Sequence, residues 1–245
     1  MTYTAPIADI LLSLNHGAGL KAAVEAGHYG DFDGDITAAV LEEAGKFASD
    51  VLAPLNSVGD EHGVKLDNGV VTTAPGWPDA YRQWTAAGWN AVSGPEEFGG
   101  RGLDLIQWLI FEEEYFRAGA PNRANQNGIF LLGPTIMEFG TREQKQRFLP
   151  PMARGEVVWA QAWSEPGAGS DMAAISSKAV RDGNHYIING QKTWSSRGAF
   201  ADWGFGIFRT DPESTRHKGL TFILFDLDTP GITRRPIRQL HGETG

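Results

Sequence analysis

Apolar positions follow two different periods along this chain, changing near residue 150. In the first part they recur at three- and four-residue spacing, the signature of helices with one buried stripe. Ile36, Val40, Leu41, Ala44, Phe47, Ala48 and Val51 make such a stripe, and Pro54 is expected to end that helix. A helix is predicted over 77–87 with Gly88 as its C-terminal cap. Another is predicted over 103–118, between Gly102 and Gly119. Residues 125–139 read as helical with an interruption at Gly133-Pro134. Thr141 and Gln144 form a capping box that opens a helix to Phe148, and Pro150-Pro151 closes the helical part.

Beyond Pro151, short runs of strand formers are separated by Gly, Pro and Asp. Strands are predicted at 157–162, 185–188, 201–210, 220–227 and 232–237, with hairpin turns at Asp182-Gly183 and Asn189-Gly190. The expected fold class is therefore α+β. An all-helical N-terminal domain over 1–152, with 1–34 as a weakly ordered extension, precedes an antiparallel β-barrel or sandwich middle domain over 153–245.

Composition narrows the function classes. The net charge of −9 repels nucleic-acid backbones, and the densest basic patch, Arg234, Arg235 and Arg238, is too small to overcome it. With no cysteine, disulfides, thiolate metal sites and cysteine nucleophiles are excluded. The six histidines show no metal-ligand spacing. Residues 1–10 carry Asp9 and no Lys or Arg, unlike a secretory or transit leader, and no apolar run reaches the length of a membrane span. A cytoplasmic location is expected.

One stretch carries candidate chemistry: Trp163-Ser164-Glu165-Pro166-Gly167-Ala168-Gly169-Ser170-Asp171. It reads as a strand running into a glycine loop. Glycines there could let the backbone approach a ligand or take positive φ, and the N–H groups with the Ser164 and Ser170 hydroxyls could bind phosphate or a heterocycle edge. A plain tight turn is the alternative. It is not a phosphate loop of the Gly-Lys-Ser/Thr kind, and no helix opens after it as in a dinucleotide fingerprint. A second stretch, Asn189-Gly190-Gln191-Lys192-Thr193-Trp194-Ser195-Ser196, reads as a hairpin turn entering a strand. A lone Trp in that position belongs by default to the core.

Taken together, the two stretches closely resemble the flavin-binding signature of acyl-CoA dehydrogenases. Gly88-Trp89, the 95–103 block Pro-Glu-Glu-Phe-Gly-Gly-Arg-Gly-Leu, the 140–150 helix, Lys218-Gly219-Leu220-Thr221-Phe222 and Pro230-Gly231-Ile232 resemble the family's other blocks, in its order. The resemblance covers about 85–245, and 3–84 resembles the extended N-terminus of one bacterial branch.

The resemblance implies FAD as cofactor, oxidation of an acyl-CoA thioester to the 2,3-enoyl form, and an electron-transfer flavoprotein as acceptor. Cofactor contacts fall on Gln161, Ala162, Trp163, Ser164, Gly169, Ser170, Trp194, Ser195 and Ser196, and substrate contacts on Ser170 and Thr210. Relatives often carry an aromatic residue at the position of Gln161 and Thr at that of Ser196. The family's base lies in a C-terminal four-helix bundle. The sequence given stops before that bundle, so no catalytic residue is assigned and Glu165 is read as structural. The chain is expected to be a fragment or one part of a split enzyme, homo-oligomeric (dimer or tetramer) when complete. The alternatives are an acyl-CoA oxidase or a non-catalytic FAD-binding partner subunit.

Overall fold

A computed structural model describes residues 3–28, 34–68, 70–120, 122–214 and 216–238. The chain forms two compact units, Met1–Arg123 and Ala124–Gly245.

The first unit is helical: α1 Ile7–Leu12, α2 Leu20–Glu25, α3 Gly34–Phe47, α4 Ala53–His62, α5 Trp77–Ala86 and α6 Leu105–Arg117, with a small hairpin of β1 Lys65–Asp67 and β2 Val70–Thr72. The predicted stripe is buried or half-buried from Val40 to Val51, whereas Ile36 is exposed. Leu41, with no exposure, packs with Ile10 and Ile110, and Ala44 lies in a cluster with Trp84, Trp89, Phe111 and Tyr115. Trp89 stacks on Phe111 with ring centroids 4.6 Å apart. Within 1–34, expected as a weakly ordered extension, α1 and α2 bury Ile10 and Leu20; residues 1–2 and 29–33 lie outside the described residues.

Pro54 does not end the helical course. A π-helical turn, Ala48–Leu52, leads straight into α4 and places Pro54 in its first turn, where a missing N–H costs nothing. The same device recurs in the second unit. The π turn Gly128–Leu132 runs into α7 Gly133–Phe139, with Pro134 in the first turn instead of at a break. After it, α8 Arg142–Ala153 opens on the predicted Thr141/Gln144 box and continues through both prolines. The Pro150 and Pro151 carbonyls still accept, from Arg154 N–H at 3.0 Å and Glu156 N–H at 2.9 Å, so the last turn holds.

The sheet of the second unit comprises β3 Trp159–Ala162, β4 Lys178–Asp182, β5 His185–Asn189, β6 Trp203–Arg209 and β7 Leu220–Asp226. It is mixed. β4–β5 and β6–β7 are antiparallel, as expected, but β6 pairs parallel with β3 and with β4. The long connection 163–177 makes β4 run in the direction of β3, and the reversals into β5 and then into β6 leave β6 in that direction again. One edge of β6 thus carries two strands in succession: β3 to the Ala162–Gly206 pair, then β4 from the Lys178–Arg209 pair.

Two strand-level expectations are corrected. Asn189-Gly190 is not a hairpin turn; β5 ends there and the chain continues irregularly to β6. Gly190 passes so close to Ser177 that a Cβ would lie 2.2 Å from its Oγ, so the glycine serves close approach. Residues 232–237 form no strand. Pro236 interrupts the ladder donors there, and the Arg234 side chain turns to the Ala201 carbonyl at 3.0 Å and Asp228 at 2.7 Å.

α8 is fixed to the sheet by aromatic contacts: Phe148 meets Trp159 at 5.6 Å and Trp203 at 5.5 Å. Buried Asn125 closes the start of β3. Its amide donates to the Val157 carbonyl at 2.8 Å and its oxygen accepts from Trp159 N–H at 3.1 Å.

Candidate functional site

Between Gly206 and Arg209 the edge of β6 has no strand against it, and the 163–177 connection leaves the sheet at that gap. A carbonyl left there would be costly in a dry interior. Lys192 supplies the missing donor. Its ammonium donates to the Ile207 carbonyl at 2.7 Å, the Trp163 carbonyl at 3.1 Å and Glu165 Oε1 at 2.9 Å. All three ammonium protons are thereby used, and the Phe208 ring lies 5.0 Å from the nitrogen.

Glu165 is the counter-charge and the fastener of the loop. Ser176 donates to it through N–H at 2.7 Å and Oγ at 2.9 Å, and Ser177 through N–H at 2.9 Å. One carboxylate therefore ties the start of the 163–177 excursion to its end. Glu165 and Lys192 side chains are only 4% and 11% exposed. Burial works against the Glu165 charge, but the hydrogen bonds from Ser177, Ser176 and Lys192 outweigh it and pull the carboxyl from 4.5 to about 2. Burial lowers the Lys192 ammonium, opposed by its bond to Glu165.

Around this clasp the predicted residues distribute as follows. Gln161 lies half-buried in β3 opposite Phe205, and Ala162 beside it is buried. Trp163 is half-buried, and its buried indole N–H has no hydrogen-bond partner among the described residues. The Ser164 carbonyl accepts from Thr193 N–H at 2.9 Å, so the two stretches are joined through their backbones as well as through the ion pair. Pro166, Gly167, Gly169 and Ser170 form the exposed crest of the loop. Neither Gly167 nor Gly169 takes a positive φ, and a Cβ at either would meet nothing within 4 Å. Neither conformation nor internal packing requires these two glycines, and they leave the backbone of the crest open to close approach.

Trp194 is the second unusual residue of the loop region. The default reading put it in the core, but it is 72% exposed and stands in the left-handed region at φ 57°. A bulky residue there is strained by roughly 1–2 kcal/mol, and such strain concentrates at functional sites. Ser195 is half-buried and Ser196 exposed, in a turn closed by Ser196 N–H to the Trp194 carbonyl at 3.0 Å and Gly198 N–H to the Ser195 carbonyl at 2.8 Å. Thr210 stands apart at the far end of β6. Its hydroxyl shares a 2.7 Å hydrogen bond with that of Thr221, and its N–H donates to the Gly219 carbonyl at 2.9 Å.

The structure thus brings residues 161–164 together with 192–196. Sequence reasoning missed Lys192, whose only signal was a lone cation inside an otherwise uncharged stretch. It missed Asn125 altogether. Among the described residues no cluster of His, Cys, Asp or Glu could hold a metal, and no helix is long and apolar enough to cross a membrane.

Comparison with known proteins matches the fold. The family model for the acyl-CoA dehydrogenase N-terminal domain matches residues 35–156, and that for the acyl-CoA dehydrogenase middle domain matches 160–245. Acyl-CoA dehydrogenase IpdE1 of Mycobacterium tuberculosis is 47% identical over 157 residues, covering 64% of this chain and 41% of its own length. Human mitochondrial short-chain specific acyl-CoA dehydrogenase is 36% identical over 145 residues, covering 58% of this chain and 35% of its own. Among solved structures, the ChsE4-ChsE5 complex from Mycobacterium tuberculosis superposes with a TM-score of 0.71 at 30% identity, covering 87% of this chain and 52% of that one. Acyl-CoA dehydrogenase from Geobacillus kaustophilus gives 0.69 at 29%, covering 85% and 52%. The chain spans about half the length of these solved relatives and about two fifths or less of the curated ones.

Proposed function

Because the chain belongs to the acyl-CoA dehydrogenase family, with that family's N-terminal and middle domains, we propose that residues 161–170 and 194–196 are its share of an FAD site serving the oxidation of an acyl-CoA thioester to the 2,3-enoyl-CoA. The observation that carries this reading is Trp194, strained and exposed beside a loop whose glycines face open space. Bound FAD supplies the hydride acceptor. Gln161 to Ser164 would lie along the flavin, with the Ser164 hydroxyl as an available donor. Gly169 and Ser170 would receive the pyrophosphate, and Ser170 the pantetheine arm of the substrate. Trp194 offers an indole face to the ring system, and Ser195 and Ser196 the adjoining polar groups. Thr210 would meet the nucleotide end of the substrate through its backbone turn, because its hydroxyl is engaged by Thr221.

Glu165 holds the loop and does not remove the α-proton. A carboxyl held at about 2 and surrounded by donors takes up a proton poorly, so another group acts as base. The setting is a cytoplasmic homo-oligomer passing electrons to an electron-transfer flavoprotein. Titration with FAD followed by desalting tests the site. A retained visible flavin band, with tryptophan fluorescence quenched in the wild type and quenched less in Trp194→Phe, supports it; a retained band with equal quenching in both refutes the place given to Trp194. Acyl-CoA-dependent bleaching of that band tests the reaction, and peroxide release on re-oxidation would assign oxygen as acceptor. A flavin-holding subunit of a two-chain dehydrogenase is the second reading, favoured because a structural relative is itself a complex of two named chains. Bleaching only after a partner chain is added would select it.

A further inference from the structure

A side chain from another segment reaches the strained turn at 194–196. Asn127, at the start of the Gly128–Leu132 π turn, donates through Nδ2 to the Ser196 carbonyl at 3.2 Å. Its own segment is anchored two residues earlier, where Asn125 grips the Val157 carbonyl and Trp159 N–H at the entry to β3. The two asparagines therefore fix the 125–132 segment to the strand that leads into the glycine loop and to the turn that presents Trp194. Asn127 is half-buried, and its amide is turned to the Ser196 carbonyl. Resting on the flavin reading above, we propose that Asn127 is a positioning residue for the cofactor site. Its single hydrogen bond sets the orientation of the Ser196 carbonyl, and through it the placement of the Trp194 indole and the Ser196 hydroxyl.

A residue that positions a strained turn should affect that turn without affecting global stability. Asn127→Asp keeps the shape but replaces the donating amide with a carboxylate oxygen, which repels the Ser196 carbonyl. Asn127→Gln keeps the donor on a longer arm. In flavin-free protein, hydrogen exchange should speed up at least about threefold at 194–198 in Asn127→Asp, with β6 amides and the thermal midpoint unchanged. With FAD, the Asp variant should bind about fivefold more weakly, as expected for one lost hydrogen bond. Its bound flavin should also show an altered visible circular dichroism, with the Gln variant partly restoring both. Wild-type exchange at 194–198 in the Asp variant would overturn the proposal, as would wild-type affinity and dichroism. Failure of the wild type itself to bind FAD would mean that this share of the site does not hold the cofactor alone, and the exchange experiment would then judge the positioning role.

Discussion

Replacing Lys192 tests whether the clasp organises the site. Lys192→Met removes one charge from a pair whose side chains are 4% and 11% exposed, so water screens little of the loss. Stripping one partner from a buried pair costs on the order of 3–5 kcal/mol, because the other charge stays buried. The Ile207 and Trp163 carbonyls lose their donor in the same step. For a chain of this length that is a fall in thermal midpoint of roughly 6–20 °C.

The acid limb gives an independent figure. A carboxyl drawn from 4.5 to about 2 on folding contributes on the order of 3 kcal/mol. Since the folded value is the lower one, that stability is complete above the unfolded value near 4.5 and disappears as pH falls toward about 2. Denaturant unfolding at a series of pH values between about 6 and 3 should therefore show a steep acid loss in the wild type and a flatter one in Glu165→Gln. The Glu165→Gln/Lys192→Met double variant should be less unstable than the sum of its parts by about 1–3 kcal/mol. Equal acid slopes for wild type and Glu165→Gln, or additivity within about 0.5 kcal/mol, would refute the clasp as the element that closes the loop.

Three further outcomes follow from single residues. Trp194→Gly should keep or raise the thermal midpoint, because glycine accepts φ 57° without strain, yet reduce FAD-dependent fluorescence quenching; a large loss of stability would mean Trp194 serves the fold. Gly169→Ala should be neutral or gain up to about 0.5 kcal/mol in denaturant unfolding, since its Cβ meets nothing, while FAD affinity measured by titration falls; unchanged affinity would leave the glycine unexplained. Asn125→Ala should cost about 2–4 kcal/mol in the same unfolding assay, because it leaves the Val157 carbonyl and Trp159 N–H without their partner.

Much of the fold was legible because periodicity reports burial directly. The Leu41–Ala44 stripe and the Thr141/Gln144 box depend only on neighbours three or four residues away. The prolines at 54, 134, 150 and 151 were misread for a related reason. Proline forbids an N–H, but whether that ends a helix depends on whether a π turn shifts it into a first turn, or a final turn tolerates it. Asn189-Gly190 has the composition of a hairpin turn. Its actual role was set by Ser177, which is distant in sequence and touches the glycine only in the fold. In the candidate site, the residue types were readable from the motif, but the exposure of Trp194 was not, since a tryptophan beside strand formers normally lies in the core.

The gap in the β6 edge explains why the motif contains both a glutamate and a lysine. A 15-residue excursion between two strands that share one edge must leave the sheet and return to it, and the backbone at the break needs donors that no strand provides. A lysine can satisfy three acceptors at once, but its charge then needs neutralising in a dry place. Glu165 does this while its remaining lone pairs collect the N–H groups of the returning chain at Ser176 and Ser177. With both ends so fixed, the crest from Pro166 to Ser170 needs no internal packing, and its glycines are free to face a ligand. The pair is therefore a condition of the loop's openness, and it should be sensitive to charge: Lys192→Arg, which keeps the cation but spreads its donors in a plane, should hold the Glu165 contact and fail to reach both carbonyls. It should fall between wild type and Lys192→Met in thermal midpoint. Wild-type stability for Lys192→Arg would mean that charge alone, and not the three-way donor geometry, closes the gap.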